Sequence, residues 1–305
     1  MASQRDVKNR ISSVKNIQKI TRAMEMVAAA RLRRAEQRIA QLRPYAGAIR
    51  RMTYQAAKAA GAEASSFPLL AEHEKTENVG LLLITGDRGL AGAFNSQIIR
   101  AGVRAGAELS EEGSKAVWYA TGRRGASSLT FRGRELSGSY TGFSDRPGYA
   151  DARAIADDLM SGYVDGKLDR VDILYNAYVS PLTQHVTRET LLPLSAPVLE
   201  GASAMGDEGA STAELQDGPQ PLVEYEPGPE EILRRLVPDY VEISIYRALI
   251  ESAAGFYGAQ MTAMRNASEN AGTLIEEYTL QMNRARQAEI TQEIMEVVAG
   301  AEGLS

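Results

Sequence analysis

The sequence predicts an α/β protein of lopsided proportions: a long antiparallel coiled coil of the N- and C-terminal helices, and between them a compact α/β domain with a largely parallel sheet. Three observations predict it. Residues 4 to about 59 carry one sustained helical pattern. A second helical pattern runs from Glu230 nearly to the end, and the stretch from about 78 to 195 alternates strand-like and helix-like segments.

In the first pattern, small or apolar residues recur in alternating steps of three and four, from Val7, Ile11 and Val14 through Thr21 and Ala28 to Leu32, Ala35, Ile39 and Leu42. That is the narrow seam of a coiled coil. A second stripe, Ile17, Ile20, Met24 and Val27, runs beside it. Pro44 is the one interruption before Gly47, and a kink is expected there because proline removes a backbone donor. Such a helix is roughly 80 Å long at the α-helical rise.

The middle reads differently. "ENVGLLLITGDRGLAGAFNSQIIRAG" is an apolar strand, a Gly-rich turn and a helix, and "KAVWYATGRRGASSL" repeats strand and turn. "YADARAIADDLMSGYVDG" is an amphipathic helix and "RVDILYNAYVS" another strand. This alternation predicts a Rossmann-like α/β domain over 75–229. Its last part, 199–229, is rich in Gly, Ala, Ser and Pro and holds seven acids and no base, which reads as a solvated loop.

The closing pattern, 230–305, has its seam at Ile243, Tyr246, Ile250, Ala253, Tyr257 and onward through Ala271, Leu274, Tyr278, Gln281, Ala285, Ala288 and Gln292 to Met295, with Pro238 expected to break the first turns. Neither this helix nor the helix of 1–60 can bury its seam alone, and packing one on the other solves both problems. Charge supports the pairing: residues 1–60 hold 14 Lys/Arg against 3 Asp/Glu, while 230–305 hold 6 against 12.

Composition narrows the function classes. The chain has 305 residues, no cysteine, and two histidines far apart, His73 and His185, with no second imidazole or thiolate spaced to make a metal site. No run reaches the roughly 18 apolar residues of a membrane span. The N-terminus lacks the apolar core of a secretory leader. The turn at Gly86, Gly89 and Gly92 stands where phosphate loops occur, but the spacing is not G-x-G-x-x-G, so a tight structural turn is the first reading and a nucleotide-dependent enzyme the alternative. The cluster Arg31, Arg33, Arg34 and Arg38 leaves open a scaffold or nucleic-acid binder, although no aromatic interleaves with the bases before Tyr45. No catalytic set emerges; Asp157–Asp158 and Glu276–Glu277 read as solvated helix faces.

Three stretches carry a family resemblance: "VKNRISSVKNIQKITRAMEMVAAARLRRAEQ" (Val7–Gln37), "TGDRGLAGAFN", and "NRARQAEITQEIMEVVAGA" (Asn283–Ala301). In this order they resemble the gamma subunits of F-type ATP synthases, over nearly the whole chain. The resemblance implies a rotor shaft that transmits rotation of the membrane c ring to catalytic beta subunits, coupling ATP synthesis to proton transport. It implies partners (alpha and beta subunits, the epsilon subunit, the c ring) and neither nucleic acid nor a cofactor. It places Arg286 and Gln287 against a loop of beta, with Thr291, Gln292, Glu293 and Glu296 in the same stretch, and Met24 near beta's acidic lever. The basic cluster Arg31–Arg38 would face acidic beta loops. "VEYEPGPEEIL" resembles the segment that touches the c ring, implying contact by Tyr225 and Glu226, although Gly228 stands where the family has Asp. The lack of cysteine argues against the redox-regulated chloroplast form. The Met1 start without a transit segment points to the bacterial type, peripheral on the cytoplasmic face of the plasma membrane.

Overall fold

Two helices of the expected length bracket the chain: α1 (Gln4–Ala60) and, as the last element, α5 (Pro229–Glu302). The computed structural model describes residues 4–61, 67–194, 226 and 228–302. Between the long helices come β1 (Asn78–Ile84), α2 (Phe94–Glu111), β2 (Lys115–Thr121), α3 (Arg123–Phe131), β3 (Leu136–Tyr140), α4 (Tyr149–Val164), β4 (Arg170–Tyr178) and β5 (Gln184–Leu192).

Both long helices continue through their internal prolines, Pro44 and Pro238. The expected break at Pro238 does not occur. Leu233, Val237 and Val241 are buried on either side of it, and burying such side chains at about 1.5–3 kcal/mol each outweighs the roughly 3 kcal/mol cost of an interior proline.

The five strands are ordered β3-β2-β1-β4-β5, parallel except that β5 runs antiparallel to β4. β1 is central and buried on both faces, which is why it reads as a continuous apolar run rather than an alternation. Leu82 and Ile84 point into the main core, with Ile155 and Leu159 of α4, Ile49 and Ala56 of α1, and Val237 and Leu249 of α5. Leu83 points the other way, against α2 at Gly102. β3 and β5 escaped the sequence reading. β3, "LSGSY", has little β-propensity and is an edge strand, and β5, "QHVTRETLL", is a largely polar edge.

The chain divides into two compact units. The globular unit is Arg31–Ala259, so it holds the sheet, the second half of α1 and about the first two-fifths of α5. The coil unit combines Met1–Ala30 with Gln260–Ser305.

Candidate interaction surfaces

In the coil unit, α1 and α5 pair antiparallel. Gln18 Nε2 donates to the Ser268 carbonyl at 3.2 Å, the Thr21 and Ser268 hydroxyls meet at 2.7 Å, and Arg265 Nε lies 2.9 Å from Glu25 Oε1. Rising numbers on α1 thus meet falling numbers on α5. Val7, Ile11, Thr21 and Ala28 are buried on α1, as are Met264 and Ala271 on α5. Beyond Ala271 the expected seam holds at Tyr278 and Ala285, both half-buried, and fails elsewhere. Leu274, Gln281, Ala288, Gln292 and Met295 are exposed, and Ile275 and Met282 are half-buried in place of Leu274 and Gln281. The seven-residue repeat from Ala271 is kept, and only the order of its three- and four-residue steps is reversed, which moves one seam position in each heptad by a residue. The Arg265–Glu25 pair also runs against the bulk charge of the two helices, with the acid on the basic helix.

The paired helices are not of equal reach. Carried along at equal rise, this register sets Gln4 opposite about residue 284 of α5. From Arg286 to Ala299 every residue is exposed. Arg286, Gln287, Thr291, Gln292, Glu293 and Glu296 therefore all lie on one solvent-facing segment. At about 100° per residue, that segment has two faces. Ile290, Ile294, Val297 and Val298 share an arc of about 100°, and Glu289, Gln292, Glu293 and Glu296 share another. Gln292 Nε2 donates to Glu296 Oε1 at 3.0 Å, and the Thr291 hydroxyl turns back to the Gln287 carbonyl at 2.8 Å.

On α1, Met24 is half-buried, while its neighbours Ile17 (53% exposed), Ile20 (59%) and Val27 (52%) form an apolar stripe open to solvent. Singly exposed apolar residues are ordinary; a run of them at helical spacing marks an interaction surface.

In the globular unit, the Gly-rich turn has a structural task. The crevice beyond the carboxyl ends of the strands, where doubly wound folds hold ligands, is filled here by α5. The Phe256 ring lies 3.1 Å from where a side chain on Gly86 would begin, and a small cleft beside it is lined by Thr85, Thr121, Ser144, Ser252 and Phe256. Asp87 ties the surrounding loops together. Its Oδ1 accepts from the Arg123 N–H (3.1 Å), and its Oδ2 accepts from those of Gly142 (2.9 Å) and Ser144 (3.1 Å). Burial pushes this carboxyl up, but the Ser144 hydroxyl and these backbone donors outweigh it and hold its pKa below the ordinary value. Gly122, with φ of 81°, passes so close to the Thr85 carbonyl that a Cβ would lie 2.2 Å from its oxygen. The motif thus fastens loop to loop, as the tight-turn reading expects.

The basic cluster on α1 is divided. Arg31 lies 3.6 Å from Asp145 and over the Tyr257 ring; Arg38 donates to the Tyr246 hydroxyl at 3.0 Å and to the Pro147 carbonyl. Both therefore bind the chain's own globular unit, while Arg33 and Arg34 are exposed. Sequence periodicity gives no sign of this, because Asp145 and Pro147 lie on a loop far along the chain. His73 is satisfied internally, bonded to Asp169 at 2.9 Å and stacked on Tyr163; His185 is exposed. Glu226 is exposed, and Tyr225 lies outside the described residues. Among the described residues no helix is long and apolar enough to cross a membrane.

Comparison with known proteins matches this architecture from end to end. The fold is that of ATP synthase rotors. A Euglena gracilis mitochondrial ATP synthase structure gives a TM-score of 0.66 at 16% identity, covering 99% of this chain and 94% of that one. A central-stalk and c-ring structure from Tetrahymena thermophila mitochondria gives 0.58 at 24% identity, covering 82% and 99%. A family model described as ATP synthase matches residues 3–304. The ATP synthase gamma chain of Rubrobacter xylanophilus is 43% identical over 306 residues, covering 100% of this chain and 99% of that one. The gamma chain of Moorella thermoacetica is 42% identical, covering both chains completely. Whole-length identity at this level shows that the chain belongs to the gamma-chain family of ATP synthases.

Proposed function

We propose that the chain works as a non-catalytic rotor shaft, with 1–60 and 230–305 as the coiled coil and 75–229 as the foot. The tip from Arg286 onward turns inside the ring of alpha and beta subunits, and the foot rides on epsilon and the c ring at the cytoplasmic face of the bacterial plasma membrane. Proton flow turns the ring, the shaft turns with it, and its asymmetry biases each beta subunit through successive conformations, because only differential contact shifts such an equilibrium. Arg286, Gln287, Thr291, Gln292, Glu293 and Glu296 make and break the beta contacts, Met24 meets beta's lever, and Tyr225 with Glu226 meets the c ring.

The observation that carries this reading is the tip. A helical segment exposed on every side, with one apolar and one acidic face, gains little by being helical in solution. Within a sleeve of other subunits the two faces give each rotational position a different set of contacts.

The test is co-expression with alpha and beta subunits, purification, and an ATPase assay. A complex that copurifies and hydrolyses ATP is expected. Failure of the chain to copurify with folded alpha and beta subunits would overturn the reading. Within the working complex, removal of residues from Gln287 onward should weaken torque and assembly while the foot stays folded; unchanged proton pumping would exclude the tip. Met24→Lys should impair coupling more than assembly, and a normal pumping-to-hydrolysis ratio would make Met24 a bystander.

A further inference from the structure

Between Val237 and Tyr257, α5 is buried on nearly every side of its circumference, with Val241, Ile245, Ala248 and Ala254 fully enclosed. Such a helix poses a problem for any part that must carry torque. The hydrophobic effect is non-directional, so apolar burial holds the helix in the unit but sets its rotation about its own axis weakly. Directional contacts have to fix that angle.

Four polar side chains on this stretch supply them, at Glu242, Arg247, Ser252 and Tyr257. Glu242 pairs with Arg153 of α4 at 3.7 Å. Arg247 reaches Glu189 of β5 at 2.6 Å and the Tyr175 hydroxyl of β4 at 3.1 Å; that hydroxyl itself donates to Glu189 at 2.6 Å. The Ser252 hydroxyl lies 3.5 Å from the Ile84 carbonyl of β1, and the Tyr257 hydroxyl donates to the Asp145 carbonyl at 2.8 Å. Steps of five residues turn the helix by about 140° each. The four anchors therefore point in four directions, and no half of the circumference lacks one. Rotation in either sense stretches at least one of them.

Arg247 is the central member. Its side chain is only 23% exposed, and its two carboxylate partners, Glu189 and Glu251, are 18% and 12% exposed. Burial pushes the Glu251 carboxyl up, and Arg247 pulls it only partly back. A buried ion group of this kind is poorly explained by stability, since apolar replacements of similar volume are often neutral or stabilising; fixing one register is its best-attested use.

Resting on the shaft reading above, we infer that Glu242, Arg247, Ser252 and Tyr257 are positioning residues that lock α5 against rotation within the foot, with the Arg247–Glu189–Tyr175 group as the main key.

The test uses the assembled complex of alpha, beta and this chain. The chain has no native cysteine, so Ser137→Cys, at an exposed position of β3, takes a single rotation probe on the foot when the partner subunits are cysteine-free. The angular spread of the probe during a stalled catalytic dwell reads torsional stiffness. The triple variant Arg247→Met, Glu189→Leu, Glu251→Gln replaces the ion group by apolar and neutral side chains. Its melting temperature is expected to equal or exceed the parent's, while the angular spread widens; Tyr257→Phe, losing one anchor, widens it less. A role in stability alone predicts that spread follows melting temperature, so an unchanged spread in a stably folded triple variant overturns the inference. If the triple variant does not assemble, Glu242→Gln combined with Tyr257→Phe decides by the same measure. A parent complex that hydrolyses ATP without rotating its probe would instead overturn the shaft reading, and this role with it.

Discussion

One helix lives in two environments. Between Val237 and Tyr257, α5 is enclosed by the sheet, by α4 and by α1; between Arg286 and Ala299 it is exposed on every side. The residue types differ less than the surroundings do. Ile243, Ile245 and Ile250 are buried in the first stretch, and Ile290, Ile294, Val297 and Val298 are exposed in the second. Exposure of large apolar side chains is therefore a property of partners and not of sequence alone. In the globular unit the partners belong to the same chain. At the tip the fold provides none among the described residues, and other subunits of the assembly are the proposed ones.

The sharpest way to break this contrast is to make the same kind of change in both places. Leu249→Ala deletes a side chain that is 3% exposed and should cost about 2–5 kcal/mol in urea unfolding of the isolated chain. Ile294→Ala, at a side chain 57% exposed, should stay within about 0.5 kcal/mol. In the complex the ranking changes, because Ile294→Ala should lower the yield of assembled head. Equal costs in the isolated chain would mean that the tip finds cover within the chain itself.

Glycine substitutions sharpen the comparison along the same helix. A Cβ on Gly258 would lie 2.8 Å from the Pro181 carbonyl oxygen, a backbone atom that cannot step aside, so Gly258→Ala should cost about 1–3 kcal/mol. At Gly272 in the coil unit the nearest atom is the end of the Gln18 side chain, 3.3 Å away. It can yield, and Gly272→Ala should then stabilise by up to about 1 kcal/mol through helix propensity. Thermal melting of the two variants should move in opposite directions; a common sign would place both glycines under the same constraint.

The loops of the globular unit have a pH signature of their own. Asp87 has its pKa lowered in the folded state, so its stabilisation is fully present above the unfolded value of about 3.9 and is lost as pH falls through the lower folded value. Asp87→Asn should cost about 1–3 kcal/mol at neutral pH. The gap between variant and parent should close as the pH drops below that of free carboxylates. A gap independent of pH would assign the cost to shape and not to charge.

Much of this was legible in advance because it rests on period and composition. The two helices, the central strands and the antiparallel pairing follow from spacing and apolar runs. What period cannot show is where a side chain ends. Arg31 and Arg38 look like solvated bases on a helix face, yet they grip Asp145, Tyr246, Tyr257 and Pro147, more than a hundred residues away. Beyond Ala271 the seven-residue repeat places Tyr278 and Ala285 on the seam, but period alone does not say whether the three- or the four-residue step comes first, which decides between Leu274 and Ile275. β3 and β5 were invisible because edge strands need no apolar alternation. The residues proposed for partner contact were legible only through the family motif; nothing in the periodicity of Arg286–Ala299 distinguishes a binding tip from an unpaired helix end.

The smallest effect concerns the coil itself. Arg265 and Glu25 form the ion pair of the register at 2.9 Å, with side chains 51% and 22% exposed. Exposed pairs of this kind contribute about 0–1 kcal/mol, and salt screens them. Glu25→Gln should therefore shift the unfolding of the chain by no more than that at low ionic strength, and by less at high salt. Its use is different from stability. The pair joins an acid on a strongly basic helix to a base on an acidic one, so the register in which these two residues meet is favoured over its neighbours by charge placement. Swapping the pair, Glu25→Arg with Arg265→Glu, should preserve the register, and a cysteine cross-link between positions 21 and 268, whose hydroxyls lie 2.7 Å apart, should form as readily as in the parent. The single change Glu25→Arg sets two arginines face to face and should slow that cross-link while barely moving the melting temperature. An unchanged rate would leave the register to the buried seam of Thr21, Ala28, Met264 and Ala271 alone.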